Sequence, residues 1–335
     1  MKFNRSAIIG LLIAIIAIAA TGAFAQGNYR ISAPYTYKNL TIFLIHGKDS
    51  TNKKNIITLQ EAMKLRIFKV YETSDVNELS VENVSSQYDV FIQSGDIVKG
   101  GKQDRVLAIS IIIPARSGRV SIEAFCVESG RWEKRKGEDV QQFSSSEERI
   151  VSKDLKVAAN GQRSQSEVWN KVSEAQKKLS ANTGADVTAN ASGTSLQLAL
   201  ENTKVSATTE EYVAKLTSLL RGKSDVIGYA FAINGEINSA DIYVSNHLFN
   251  KLWPRMLKAA AVEAVGESNR SNAAAPAPKP AAIEGFLNEA EKGEVKQRTT
   301  SGKSKVVTRE SDGNAVYEAR DKADAVIHRN YIKVN

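Results

Sequence analysis

The sequence predicts an α+β fold: a β-rich N-terminal half, a helical second half carrying one β-hairpin, and a small C-terminal β unit. Three observations carry that expectation. Short apolar runs punctuated by Gly, Pro, Asn and Ser fill the stretch from about Leu40 to Val127, as strands do. Apolar residues then recur at helical spacing, as in Val168, Val172, Ala175 and Leu179. Finally, Asn234-Gly235 and Asp312-Gly313 each stand between strand-like runs, where a tight hairpin turn needs residues that tolerate positive φ.

The elements follow in order. Leu40 to Ile45 is a short run of the fully buried type. Thr58-Leu59-Gln60-Glu61 is a capping box that opens a short helix through Leu65. Ile67 to Tyr71, Leu79 to Val84, Asp89 to Ile92, Val106 to Ile113 and Arg119 to Val127 are strand candidates, with Pro114 to Gly118 as a hairpin connection. Ser164 to Glu167 and Thr208 to Glu211 are two more helix starts; Tyr212, Val213, Leu216, Leu219 and Leu220 form the stripe behind the second. Val226 to Ile233 and Ile237 to Val244 flank the Asn-Gly turn, and a long amphipathic helix runs from Leu248 to Ala264, with Pro254 as a kink or a later start. Residues 266–282 are Ala- and Pro-rich and read as an extended, mobile linker. The strands Lys305 to Arg309, Ala315 to Glu318 and Ala325 to Val334 should fold back onto the body. The expected map is thus a leader over 1–25, a main domain over 28–265, the linker over 266–282 and a docking β segment over 283–335.

The leader is a three-part export signal. Lys2 and Arg5 precede an apolar run of 14 residues, Ala7 to Ala20, and Ala23-Phe24-Ala25 supplies the small-x-small cleavage pattern. The run is short of the roughly 20 residues that span a bilayer, so an uncleaved anchor is the lesser reading. The mature chain is expected to begin at Gln26 and to be periplasmic or secreted, with no membrane span left. Cleavage removes two of the positive charges and lowers the formal net charge from +8 to +6. Those charges are interspersed, which argues for a solvated surface and against nucleic acid. The one cysteine, Cys126, cannot form an internal disulfide and sits in an alternating strand pattern, which favours simple burial.

The densest polar cluster runs from Ser94 to Arg105. Gly100-Gly101 permits close backbone approach, Lys102 and Arg105 offer cationic donors, and Asp104 can orient one of them or accept a proton. Arg119 to Val127 is expected to pair antiparallel with the strand that starts at Arg105, which would bring Glu128, Arg131 and Trp132 beside this loop. Gly100, Gly101, Lys102, Asp104, Arg105, Glu128, Arg131 and Trp132 are therefore the ligand-binding candidates. The opposing reading is that Asp104 and Arg105 are structural charges that fix a turn. A phosphate loop is rejected, because Gly101 intervenes before Lys102 and no Ser or Thr follows it. Three histidines, His46, His247 and His328, and one Cys show no ligand spacing, so no zinc-type metal is expected, a carboxylate-bound divalent ion stays open, and no cofactor is assigned. No Gly-x-Ser-x-Gly elbow is present, and each histidine reads as a surface or structural residue.

Four strings resemble one known family: SGDIVKGGKQDRVL (Ser94 to Leu107), CVESGRW (Cys126 to Trp132), SEVWNKV (Ser166 to Val172) and the run from Gly228 to Ala264 that begins GYAFAINGEINSADIYVSNHLF. Together they are similar to the ARG and rhodanese-phosphatase-associated protein family, a domain of unknown function. The likeness spans roughly Asn39 to Glu263 and is weaker at the C-terminal strands. It implies one domain and no established activity; the Ala/Pro linker before the last strands is a departure from it. Two function classes stay open: a non-catalytic binding or interaction module of the cell envelope, taking an anionic or polar ligand or an envelope protein, and a hydrolase working around the GGKQDR segment. The first is preferred, because no catalytic constellation is visible and likeness alone does not license a reaction.

Overall fold

The computed structural model describes residues 29–49, 55–150, 152–268, 275–299, 305–321 and 323–334. The expected leader, and residues 269–274 of the expected linker, lie outside the described residues. The protein is α+β. β1 (Arg30–Ile31), β2 (Tyr35–Tyr37) and β3 (Leu40–His46) come first. β4 (Ile56–Thr58) runs into α1 (Leu59–Lys64), and the capping box forms: Glu61 N–H donates to Thr58 Oγ1 at 3.2 Å, and Thr58 N–H to Glu61 Oε2 at 2.8 Å. β5 (Phe68–Glu72), β6 (Glu78–Asn83), β7 (Asp89–Ile92), β8 (Asp96–Gly100), β9 (Arg105–Leu107), β10 (Ile111–Ile113), β11 (Arg119–Cys126) and β12 (Phe143–Arg149) follow.

The helical stretch holds α2 (Lys153–Val157), a π-helical turn over Ala158–Gln162, α3 (Gln165–Thr183), α4 (Leu196–Leu200) and α5 (Thr203–Leu216). The hairpin strands are β13 (Val226–Ile233) and β14 (Glu236–Tyr243), joined by Asn234 and Gly235 at φ +53° and +84°. α6 (Asn246–Gly266) is capped by Ser245 and runs through Pro254. The chain ends in α7 (Pro280–Glu291), β15 (Glu294–Thr299), β16 (Lys305–Ser311), β17 (Asn314–Arg320) and β18 (Val326–Lys333).

Among the described residues these strands form three sheets. The largest has the order β1-β3-β13-β14-β18-β17-β16-β15, with β2 also on β3. The second is β12-β8-β9-β11-β6-β5 and the third β10-β7-β4, where β4 and β7 supply a parallel pairing. β18 therefore adds directly to β14, with Asp241 opposite Asn330 and Tyr243 opposite His328. At β3 the largest sheet is covered on both faces. Ile42 and Leu44 of β3 share a core with Leu248, Phe249 and Leu252 of α6, while Phe43 and Ile45 share one with Ile283, Phe286 and Leu287 of α7. Successive strand residues point to opposite faces, so a strand covered on both sides must be apolar throughout, as Leu40 to Ile45 is.

Four expectations are corrected. Val106 to Ile113 is not one strand: the chain turns at 108–110, giving β9 to the six-stranded sheet and β10 to the three-stranded one. Pro114 to Gly118 is consequently not the turn of a simple hairpin, since β11 pairs with both β6 and β9 while β10 pairs with β7. Thr208 lies inside α5, which begins five residues earlier behind Asn202; the Thr208 hydroxyl donates to the Lys204 carbonyl at 2.9 Å. The C-terminal segment is not purely β, because α7 starts at Pro280, within the expected linker.

Candidate functional site

β8 and β9 are joined by the turn that holds the GGKQDR segment, and the β11 register sets Cys126 opposite Arg105. Glu128 to Trp132 thereby lie beside the turn. Gly100 and Gly101 have φ of +114° and +56°. A Cβ on Gly101 would stand 2.4 Å from the Phe143 ring and 2.8 Å from Glu72 Oε2. The space beside this glycine is thus filled by the protein's own side chains.

The charges of the segment face inward. Asp104, Arg105 and Glu128 are each 0% exposed. Glu128 Oε1 accepts from the Asp104 N–H at 2.8 Å and from Arg131 Nε at 2.8 Å. Asp104 Oδ1 accepts from the Gly100 N–H at 3.0 Å and from Arg135 Nη2 at 2.5 Å; its Oδ2 accepts from Ser195 Oγ at 3.2 Å. Arg135 also holds Glu138, with Nη2 donating to Oε1 at 2.7 Å. Three carboxylates thus face two guanidiniums. Burial, and next the Glu128 charge, push the Asp104 carboxyl above its usual range, against the pull of Arg135 and the Gly100 N–H. Arg105 is turned the other way, donating to the Val76 carbonyl at 2.8 Å and to Glu72 Oε1 at 3.2 Å.

Two candidates reach the surface. Trp132 is 47% exposed, and Lys102 lies over its ring with Nζ 5.3 Å from the centroid. Lys102 Nζ also donates to Ser74 Oγ at 3.0 Å, and its backbone N–H to Glu72 Oε2 at 3.1 Å. Lys134, Lys136 and Val140 are exposed on the same loop. The structure therefore brings Asp104, Glu128 and Arg131 into one buried cluster, sets Arg105 apart on Glu72, and leaves Lys102 with Trp132 outside. Arg135 and Glu138 were missed, because the mixed charges of residues 131–139 read as a solvated surface. Glu72 and Ser195 carried no such signal, because each arrives from a distant part of the chain.

Surface clefts among the described residues include one of about 720 Å³ along α1, β5 and β12 and one of about 310 Å³ between the start of α2 and the β13–β14 turn. None of the eight candidates lines either. Among the described residues no group of three or more His, Cys, Asp or Glu is placed to hold a metal ion, and no helix is long and apolar enough to cross a membrane.

Fold and cluster together define an α+β protein whose GGKQDR segment is locked by buried charge onto the loop that follows β11. The chain belongs to the ARG and Rhodanese-Phosphatase-superfamily-associated Protein domain family, whose model matches residues 28–332. That match takes in α7 and the last strands, so the C-terminal segment is part of the family domain. The family's description names an association and no reaction. No curated protein and no solved structure matches the chain.

Proposed function

We propose that the protein is an exported binding module of the cell envelope, and that it takes an anionic partner on the loop 129–140 together with Lys102. The observation that carries this reading is the division of the cluster. Asp104, Glu128, Arg131 and Arg135 pair with one another inside, and the same loop presents Trp132, Lys134 and Lys136, with Glu133 and Asp139, outside. A buried ion cluster of this kind holds a loop in one shape, and a fixed aromatic beside cations is a recurrent anchor for partners. Export rests on the leader pattern of residues 1–25. A hydrolase at GGKQDR has less support, because Asp104, Arg105 and Glu128 are 0% exposed and the hydroxyl on Asp104, that of Ser195, is itself only 1% exposed.

The test is a thermal-shift screen of residues 26–335 against small anions and soluble polyanions. A binding anion raises the melting temperature by mass action. Lys102→Ala and Trp132→Ala should melt close to the unsubstituted protein and lose that rise. A rise that survives both substitutions, or none from any anion, rejects the reading.

A further inference from the structure

A second polar group lies where β7, β10, β14 and β18 meet. His328 of β18 is 0% exposed and Asp241 of β14 is 1% exposed. His328 Nε2 stands 2.8 Å from Asp241 Oδ1, and His328 Nδ1 stands 3.2 Å from Ser110 Oγ. Ser110 immediately precedes β10 and is partly exposed.

The proton positions follow from the partners. An ionised carboxylate only accepts, so Nε2 carries the hydrogen and Nδ1 is left as an acceptor. Ser110 Oγ already accepts the Ser94 N–H at 3.0 Å, so its own hydrogen is free to point at Nδ1. Asp241 Oδ1 is fixed by two more donors, Asn330 Nδ2 at 3.1 Å and Gln93 Nε2 at 3.3 Å. The His328 ring is stacked on Tyr243 at 4.6 Å between centroids. A hydroxyl on one ring nitrogen and an oriented carboxylate on the other are the contacts of a nucleophilic triad, here with the two nitrogens exchanged: Nδ1 faces the serine and Nε2 the carboxylate, the reverse of the serine-protease arrangement.

We propose that Ser110, His328 and Asp241 form a triad that cleaves short-acyl carboxylic esters. This goes beyond the binding reading and does not depend on it. Ser110 Oγ attacks the ester carbonyl carbon as its proton passes to His328 Nδ1. The bond to the alkoxide breaks, and His328 returns the proton to the departing alcohol. Water then attacks the acyl-serine, gives a proton to His328 and releases the carboxylic acid; that proton returns to Ser110. Asp241 is a positioning residue that holds the ring in the required tautomer. The acyl group is short because Ser110 stands in the chain between Ile109 and Ile111, each 5% exposed, with the buried His328 and Asp241 hydrogen-bonded behind its hydroxyl. The substrate offers its carbonyl at the surface.

The experiment uses residues 26–335, a fluorophosphonate probe with peptide mass spectrometry, and p-nitrophenyl acetate and octanoate as substrates. The expected results are an adduct on Ser110 and faster hydrolysis of acetate than of octanoate. Ser110→Ala should lower acetate hydrolysis by at least about 100-fold. Asp241→Asn should lower kcat with KM nearly unchanged, a split that a merely structural role would not produce. If that variant fails to fold, Ser110→Ala, which removes one hydroxyl, still decides. No adduct at Ser110, or unchanged hydrolysis in Ser110→Ala, overturns the proposal.

Discussion

At the scale of single residues, the buried charges set the stability. Removing one member of a buried pair leaves the other uncompensated, so Glu128→Ala should cost about 3–5 kcal/mol in chemical denaturation. Trp132→Ala, on the surface, should change stability by less than about 0.5 kcal/mol. Asp104 adds a pH dependence with a definite sign. Its folded carboxyl is raised by burial and by Glu128, so the native state holds the proton more tightly than the unfolded chain does. Its contribution is fully present below the ordinary Asp range and is lost as pH rises through the folded value. Asp104→Asn should flatten that part of the profile of melting temperature against pH; an unchanged slope would contradict the assignment. Cys126 is 0% exposed, and burial pushes its thiol up to about 11, Arg105 acting in the opposite direction. It should resist a thiol-titrating disulfide reagent at pH 8 until the protein is unfolded.

At the scale of elements, the β8–β9 turn is a tight joint. Gly101 combines positive φ with contact to the Phe143 ring, so Gly101→Ala should destabilise by about 1–3 kcal/mol, measured by urea unfolding. Local grammar made much of the fold legible. The Thr58–Glu61 box, the Ser164 cap, the Asn234-Gly235 turn and the Asp312-Gly313 turn are all nearest-neighbour chemistry, and each forms. What stayed hidden depends on distance along the chain. Nothing local divides Val106 to Ile113 between two sheets; the partners that do so, β11 and β7, lie elsewhere in the sequence. α7 was readable in principle, since Ile283, Phe286, Leu287 and Ala290 keep helical spacing behind Pro280, but the Ala/Pro run before it masked the start. The eight candidate residues were found together because two of their strands are neighbours. That most of them point inward was not legible, because Arg135, Glu72 and Ser195 supply the partners.

At the scale of the whole molecule, the last strand is an interior one. β18 lies between β14 and β17, and α7 covers the apolar face that Phe43 and Ile45 present. A protease site engineered between residues 269 and 274 should therefore yield two fragments that co-elute on size exclusion and separate only in denaturant. Separation under native conditions would mean that the β14–β18 ladder is not the main tie. A chain ending at Glu267 should fail to fold cooperatively, as judged by the loss of a single thermal transition, because β14 loses its neighbour and β3 loses one of its two covers.

The position of β18 also bears on when the protein can fold at all. A chain is synthesised, and threaded through any narrow passage, from its amino end. The β13–β14 hairpin emerges long before residues 326–333, and until they arrive β14 offers an open ladder of unpaired backbone groups. Closure of the largest sheet thus comes late in the synthesis of this domain, not early. A polypeptide built in this order stays incomplete for as long as its tail is still in transit. Through that interval it depends on whatever keeps an exposed strand edge from pairing with a neighbour.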